Sequence, residues 1–395
     1  MDGDYNIIDN IIYTPDIKHR PDERGIGWVY YEEMLKRKDM VAQIDGLTGE
    51  KENFGSLLQR CVTVAVGLKA QGVRKFDKGG SVVFMSDTPY WNVFFYTLNY
   101  SIKTGTARMV YPKFDFSDPW KVFSQKISTV FLNLTELMTL CNTPKPKEID
   151  ISGLELISTA GSPVSINHIA IAKECFPNVL LRIPYGQSEV FMSMTYFNMT
   201  IPRHVELMKR KVNSCGLPRP GITFKFVDEG SGKALGPNAK GELRVKTDMQ
   251  MSGYYNMDSS DAWDEDGWLK TGDYGYYDDD CCFYIIDRVK EMFTYRSWHI
   301  LPAVLESILI THPAVFRAVV IGVPHDIDEH HPMAIVQLNP DAKVTDAELV
   351  KYMEDKVEDR QRLRGGVKFV DEFPLTPSQK INRRILKEMV LQGNI

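Results

Sequence analysis

Apolar residues fall at helical spacing over residues 54–72, where Leu57, Leu58, Cys61, Val62, Ala65 and Leu68 share one face. An amphipathic helix is predicted there. From that helix to about residue 200, short apolar runs alternate with helical patterns. The runs Val82 to Met85, Ala107 to Tyr111, Thr129 to Leu132, Leu154 to Ser158 and Val179 to Ile183 predict buried strands. Such alternation is the pattern of an α/β core.

After about residue 214 the texture changes to short β-type segments separated by turns: Ile222 to Val227, Gly241 to Lys246 and Cys282 to Ile286, with the hairpin signal Asp266-Gly267 among them. A small β-rich subdomain is predicted over about 214–286. The last hundred or so residues mix elements again. Pro302 to Thr311 predicts a helix opened by proline, and Phe316 to Val323 and Met333 to Leu338 predict strands. Thr345-Asp346-Ala347-Glu348 is a capping box that opens a helix running to Val357. The architecture read from pattern alone is therefore a large N-terminal α/β domain with a β-rich subdomain, followed by a small α+β module. There is no internal repeat.

Composition narrows the classes. With 395 residues, 43% hydrophobic and 25% charged, the chain suits two or three globular domains. No apolar run approaches the ~20 residues of a membrane-spanning helix. A formal charge of -5, with Lys and Arg spread along the chain, argues against nucleic acid as a partner. The six cysteines lack metal-type spacing and are too sparse for a disulfide framework. The expectation is an intracellular, reducing compartment. Met1 to Asn10 carries three acids and no signal-like stretch, and the end, Gln392-Gly393-Asn394-Ile395, is not a peroxisomal tripeptide.

Four segments can carry chemistry, and each has a plain alternative. Asp266-Gly267-Trp268-Leu269-Lys270-Thr271-Gly272-Asp273 reads in isolation as a hairpin with Asp273 as a polar turn residue. Tyr185-Gly186-Gln187-Ser188-Glu189 follows a buried run, and reads equally as a glycine turn and a helix start. Ser158-Thr159-Ala160-Gly161-Ser162-Pro163 has the composition of an ordinary turn, although small side chains also let a flat ligand approach the backbone. Pro374 to Arg383 carries Lys380, and a lysine in a polar loop is ordinarily a solvated charge. His330-His331, after Asp326, Asp328 and Glu329, reads as a polar connection between two strands rather than as a metal site.

The order of these segments closely resembles the adenylate-forming (ANL) superfamily of AMP-binding enzymes, in particular the luciferase-like acyl-CoA synthetases of the 4-coumarate-CoA ligase and firefly luciferase type. Asp266 to Asp273 followed by Asp287-Arg288-Val289-Lys290 resembles the DGW-x-x-TGD block and D-R-x-K hinge of that family. Tyr185 to Glu189 resembles YG-x-[ST]-E. Pro374 to Arg383 resembles P-x-T-x-x-G-K-[IVL]-x-R, with Gln379 at the usual glycine. With Gly241-Glu242-Leu243 and Gly253-Tyr254-Tyr255, the resemblance covers almost everything from about residue 81 to the end.

The resemblance implies ATP, Mg²⁺ and CoA as cofactors and cosubstrates, and a small carboxylic acid, such as a fatty acid, as substrate. It implies nucleotide binding by Gly161, Ser162, Tyr185, Gly186, Gln187, Ser188, Asp273 and Arg288, Mg²⁺ binding by Glu189, and catalysis by Lys380 with Glu189. It further implies a domain of residues 1–286, a hinge at 287–290 marked by Asp287 and Lys290, and a mobile C-terminal domain of residues 291–395. The implied reaction is adenylation of the acid and its transfer to CoA, and the family tendency is cytoplasmic or peroxisomal.

The sequence departs from the family at one place above all. The Ser/Thr- and Gly-rich loop of the form [ST]-SG-[ST]-TG-x-PK, whose backbone cradles phosphates, has no counterpart. Thr104 to Lys113 is nearest in letters, but it lacks the second glycine and its apolar run reads as a core strand. Two distant family segments meet near residues 78–81, at Lys78-Gly79-Gly80. Thr294, Ser297 and Val304 also stand where relatives carry lysine, glycine and glutamate. The expectation is an acyl-CoA synthetase impaired in this chain. Its alternatives are a non-catalytic remnant that binds a nucleotide or acyl ligand, and luciferase-like oxidation of an acyl-adenylate.

Overall fold

The computed structural model describes residues 5–15, 26–45, 48–59, 82–86, 93–104, 106–111, 114–190, 192–376 and 380–395. The chain divides into two compact units: Asp16–Thr159 with Cys175–Arg182, and Met1–Pro15 with Ala160–Glu174 and Ile183–Ile395.

The first unit is built on a seven-stranded sheet in the order Lys51–Asn53, Val41–Asp45, Ala107–Tyr111, Val82–Ser86, Thr129–Asn133, Leu156–Ala160 and Leu180–Arg182. Val82–Ser86 lies parallel between its two neighbours, as expected of buried apolar runs, and the edge pair of Val41–Asp45 with Lys51–Asn53 is antiparallel. Phe84, Val130, Leu132 and Ile157 are fully buried. The helix Leu134–Asn142 is started by Asn133, whose side chain accepts from the Glu136 amide while Glu136 accepts from the Asn133 amide, each at 2.9 Å. Trp120, almost fully buried beside Phe123 and Phe176, anchors its indole N–H on the Thr143 carbonyl at 2.8 Å. The expected strand at Ala107 to Tyr111 is confirmed as a core strand. The expected helix over 54–72 is present over 54–59, and its remainder, like the junction at 78–81, lies outside the described residues.

The second unit carries the β-rich part. Its six-stranded antiparallel sheet runs Asn6–Ile8, Ile11–Tyr13, Thr223–Val227, Gly241–Lys246, Leu269–Tyr277, Phe283–Arg288. Along Leu269–Tyr277 burial alternates strictly, as expected for a strand with one face on a core. Phe224, Phe226, Tyr277 and Phe283 fill that core.

The C-terminal segment of the same unit has its own sheet, Trp298–Ile300, Phe293–Tyr295, Glu329–Leu338, Val315–His325, with Gly366–Phe369 added parallel to Glu329–Leu338. Period-2 alternation sends Val320, Ala334 and Val336 to one face, which Val315 joins across the register shift between Val315 and Arg317, against Leu305, Leu309, Leu349 and Met353. Val319, Ile321 and Ile335 go to the other, against Phe373 and Leu386. The predicted capping box at Thr345 and Glu348 is formed. The α/β reading with a small α+β C-terminal part therefore holds. Among the described residues no helix is long and apolar enough to cross a membrane.

Candidate functional site

The site is assembled in the second unit around one carboxylate. Thr271, Gly272 and Asp273 lie inside the strand Leu269–Tyr277. Gly272 has φ +65°, a conformation that suits glycine, and Thr271 fixes the local geometry. Its Oγ1 donates to the Leu243 carbonyl at 2.6 Å and accepts from the Asp273 amide at 3.1 Å. Asp273 is thereby held at 7% exposure. Its Oδ2 accepts from the Tyr185 hydroxyl at 2.7 Å and its Oδ1 faces Arg288 Nε at 2.9 Å. Arg288 also donates to the Thr271 carbonyl at 3.0 Å, so its guanidinium is oriented by the strand whose carboxylate it pairs with.

Burial raises the Asp273 carboxyl above the usual carboxylate range, and Arg288 and Tyr185 oppose that rise. Burial and then the Asp273 charge hold the Tyr185 phenol far above its usual range, so it is a hydrogen-bond donor at any physiological pH.

Tyr185–Gln187 is a short strand paired with Met192–Tyr196, and Ser188–Val190 follows as one 3-10 turn. That turn sets Glu189 beside Tyr254, whose hydroxyl donates to Glu189 Oε1 at 2.9 Å, while the Glu189 carbonyl accepts from the Met251 amide at 2.7 Å. Gly186 and Ser188 are exposed. The Gln187 Nε2 amide is buried with no hydrogen-bond partner among the described residues, a donor that an entering polar ligand would satisfy. Gly161, at φ +94°, and Ser162 follow the strand Leu156–Ala160 and are both exposed.

Lys380 is tied to Thr376, whose amide donates to the Lys380 carbonyl at 2.7 Å and whose Oγ1 accepts from the Lys380 amide at 3.2 Å. Its ammonium pKa is lowered by burial and by the Arg288 charge, and raised by Asp273 and Glu189. Lysine, arginine and both acids therefore share one electrostatic neighbourhood, a sign of a functional site when they are far apart in sequence. Asp287 is 2% exposed. It accepts from its neighbour Arg288 N–H at 2.8 Å and from Ala303 N–H at 2.9 Å, in the first turn of the helix Pro302–Leu309. Burial lifts its carboxyl to about 6. Lys290 sits in the 3-10 turn Val289–Glu291. Of the expected residues, the structure thus joins Tyr185, Asp273, Arg288, Lys380 and Glu189. Gly161, Ser162, Gly186 and Ser188 are exposed and, among the described residues, stand outside that bonded group.

Three supporting residues escaped the sequence reading. Thr271 and Tyr254 lie within quoted motifs, and their roles depend on hydrogen bonds made across the fold. Glu306 takes a bidentate pair from Arg383 Nη2 at 2.7 and 2.6 Å and accepts the Val320 amide at 2.8 Å. It ties the residues just after Lys380 to the helix that Asp287 caps.

A family model described as AMP-binding enzyme matches residues 78–255, and one described as AMP-binding enzyme C-terminal domain matches residues 304–380. The chain is 34% identical over 301 residues to luciferin 4-monooxygenase of Nipponoluciola cruciata, covering 75% of this chain and 53% of that protein. It is 35% identical over 262 residues to 4-coumarate--CoA ligase-like 1 of Arabidopsis thaliana, covering 65% and 48%. It thus spans about half the length of these curated relatives. The o-succinylbenzoate CoA synthetase of Bacillus subtilis, in complex with its acyl-adenylate intermediate, superposes with a TM-score of 0.64 at 25% identity, over 86% of this chain and 66% of that one.

Proposed function

The chain belongs to the adenylate-forming superfamily of AMP-binding enzymes, and from that membership we propose that it adenylates a carboxylic acid and passes the acyl group to CoA, at a rate limited by its missing phosphate loop. The observation that carries the reading is the convergence of Tyr185, Arg288, Glu189 and Lys380 on Asp273.

In the first step a carboxylate oxygen of the acid attacks the α-phosphorus of ATP, an acyl–phosphate bond forms, and pyrophosphate leaves. In the second the CoA thiol, giving up its proton, attacks the acyl carbon and AMP leaves. No protein nucleophile is needed, so this chain contributes position and charge. Asp273, prefixed by Thr271 and Arg288, receives the ribose hydroxyls. The Tyr185 ring backs the base, the small residues Gly161 and Ser162 let a base approach the backbone, and Gln187 and Ser188 offer polar groups to the nucleotide. Lys380 meets the negative charge that develops between carboxylate and α-phosphate. Glu189, with Oε2 left open by Tyr254, is the carboxylate that would hold Mg²⁺, which supplies neutralisation of the phosphate charge.

None of these residues addresses the outer phosphates. Losing about three charge-assisted bonds at ~1.5–3 kcal/mol each weakens nucleotide and transition-state binding by roughly 4–9 kcal/mol, at least about a thousandfold. The test is acyl-CoA formation by the purified chain from a panel of fatty and aromatic acids, beside a version with a family loop inserted after Gly80. Slow product formation, raised by the insertion, is expected. Fast turnover by the unmodified chain contradicts the impairment. A chain that binds AMP and makes no acyl-adenylate even with the loop is the non-catalytic remnant instead.

A further inference from the structure

The hairpin of Val315–His325 and Glu329–Leu338 brings together three side chains that adenylation does not use. Its register pairs Val323 with His331, Pro324 with His330 and His325 with Glu329, so residues 330 and 331 are strand, not the polar connection expected from sequence. Alternation then separates the two histidines. His330 turns to Phe293 and the Thr294 carbonyl. His331 joins His325 on the other face, their rings stacked 3.8 Å apart at 18°.

Asp328 comes from the three-residue tip and points at both rings. His331 Nε2 lies 2.8 Å from its Oδ2, and His325 Nδ1 lies 3.6 Å from the same oxygen. Arg296 Nε holds the other oxygen, Oδ1, at 2.6 Å, which fixes the carboxylate's plane and leaves Oδ2 toward the imidazoles. A simple His331–Asp328 hydrogen bond does not account for His325, whose Nδ1 is turned inward and accepts the Asp328 amide at 3.2 Å. The three candidate ligand atoms all lie within 4.8 Å of one another, and His325, at 38% side-chain exposure, leaves the group open to solvent on one side.

We propose that His325, Asp328 and His331 form a binding site for a divalent transition-metal ion, with Zn²⁺ as its most suitable occupant. Two imidazoles and one carboxylate are a borderline-soft donor set that suits Zn²⁺ over Mg²⁺ or Ca²⁺, and three protein ligands leave a fourth position for water. On binding, the ion replaces the proton on His331 Nε2, which moves to Nδ1 or to solvent, and takes the His325 lone pair from the Asp328 amide. Arg296, bound to Oδ1, keeps the carboxylate oriented as an outer partner of the site. Its positive charge also lowers the affinity, so micromolar rather than nanomolar binding is expected. Because Arg296 also donates its backbone N–H to the Asp328 carbonyl at 3.1 Å, the ion would brace the hairpin tip against the turn that joins Phe293–Tyr295 to Trp298–Ile300.

The full chain, stripped with a chelator and dialysed, is titrated with Zn²⁺ by calorimetry and with Co²⁺ by visible absorption. One ion per chain is expected, with Co²⁺ bands typical of nitrogen and oxygen ligands. His325→Ala and His331→Ala should each weaken binding by about tenfold or more. His325→Ala is the more informative variant because its exposed ring is the least needed for folding, and an unchanged melting curve establishes that it folds. Absence of saturable binding to the wild-type chain overturns the proposal. Affinity unchanged in both variants, or a Co²⁺ spectrum with thiolate charge-transfer bands, assigns the ion to other residues and overturns it equally.

Discussion

Replacing Asp273 with asparagine separates the nucleotide-binding role of this position from its role in the strand. The shape and the ability to accept from Tyr185 are kept, while the charge opposite Arg288 is lost. Two contributions to stability oppose each other. The Arg288 side chain is 44% exposed, so solvent screening limits its pair with Asp273 to about 0.5–1 kcal/mol. Against that loss, burial raises the Asp273 carboxyl. A carboxylate whose folded-state pKa is raised costs stability above that pKa, and the neutral amide removes this cost. The net change in stability should stay within about 1 kcal/mol. Binding has no such compensation, since the ribose hydroxyls lose a charged acceptor worth ~1.5–3 kcal/mol, or roughly tenfold to a hundredfold in affinity for AMP. Calorimetric titration with AMP and a melting curve on the same sample decide the matter. A melting transition that collapses while AMP affinity stays unchanged would refute the reasoning and return Asp273 to a structural hairpin residue.

The other expectations follow from the same geometry. Lys380→Ala should slow acyl-adenylate formation by on the order of 10²–10³, and slow thioester formation from supplied acyl-AMP much less; equal losses in both half-reactions contradict its assignment to the first step. Arg383→Met leaves the largely covered Glu306 carboxylate, 13% exposed, without its cation and should cost about 1–3 kcal/mol, read by scanning calorimetry, and a loss under about 0.5 kcal/mol refutes the pair's importance. Asp287 has its folded-state pKa raised to about 6, so its ionisation costs stability that appears as pH rises from about 4 to about 6. Asp287→Asn should therefore gain on the wild type across that window, by up to about 3 kcal/mol, and parallel stability–pH curves contradict this.

Much of the fold was legible because local signals agreed with each other. The buried runs at Val82, Ala107 and Thr129 were read as strands of an α/β core, and they lie adjacent in one parallel sheet. The capping box at Thr345 marked its helix start to the residue. The hairpin Asn6–Ile8 with Ile11–Tyr13 was missed although its signal was present: Asp9-Asn10, at φ 51° and 64°, flanked by paired isoleucines. In the site, motif order pointed to Tyr185, Asp273, Arg288 and Lys380. The hydroxyl of Thr271 and the ring of Tyr254 act through partners 28 and 65 residues away, which no local pattern encodes. The histidine cluster was misread for a related reason. Which of His330 and His331 faces His325 depends on strand register, and a one-residue slip would exchange them.

The central claim is that the residues gathered around Asp273 make an acyl-adenylate, and acid-dependent exchange of radiolabelled pyrophosphate into ATP tests it most directly. The account predicts slow exchange by the purified chain that requires both Mg²⁺ and a carboxylic acid and falls to background in Lys380→Ala. It is contradicted if the chain binds AMP with Asp273 intact and yet shows no acid-dependent exchange above the Lys380→Ala background with any acid of the panel.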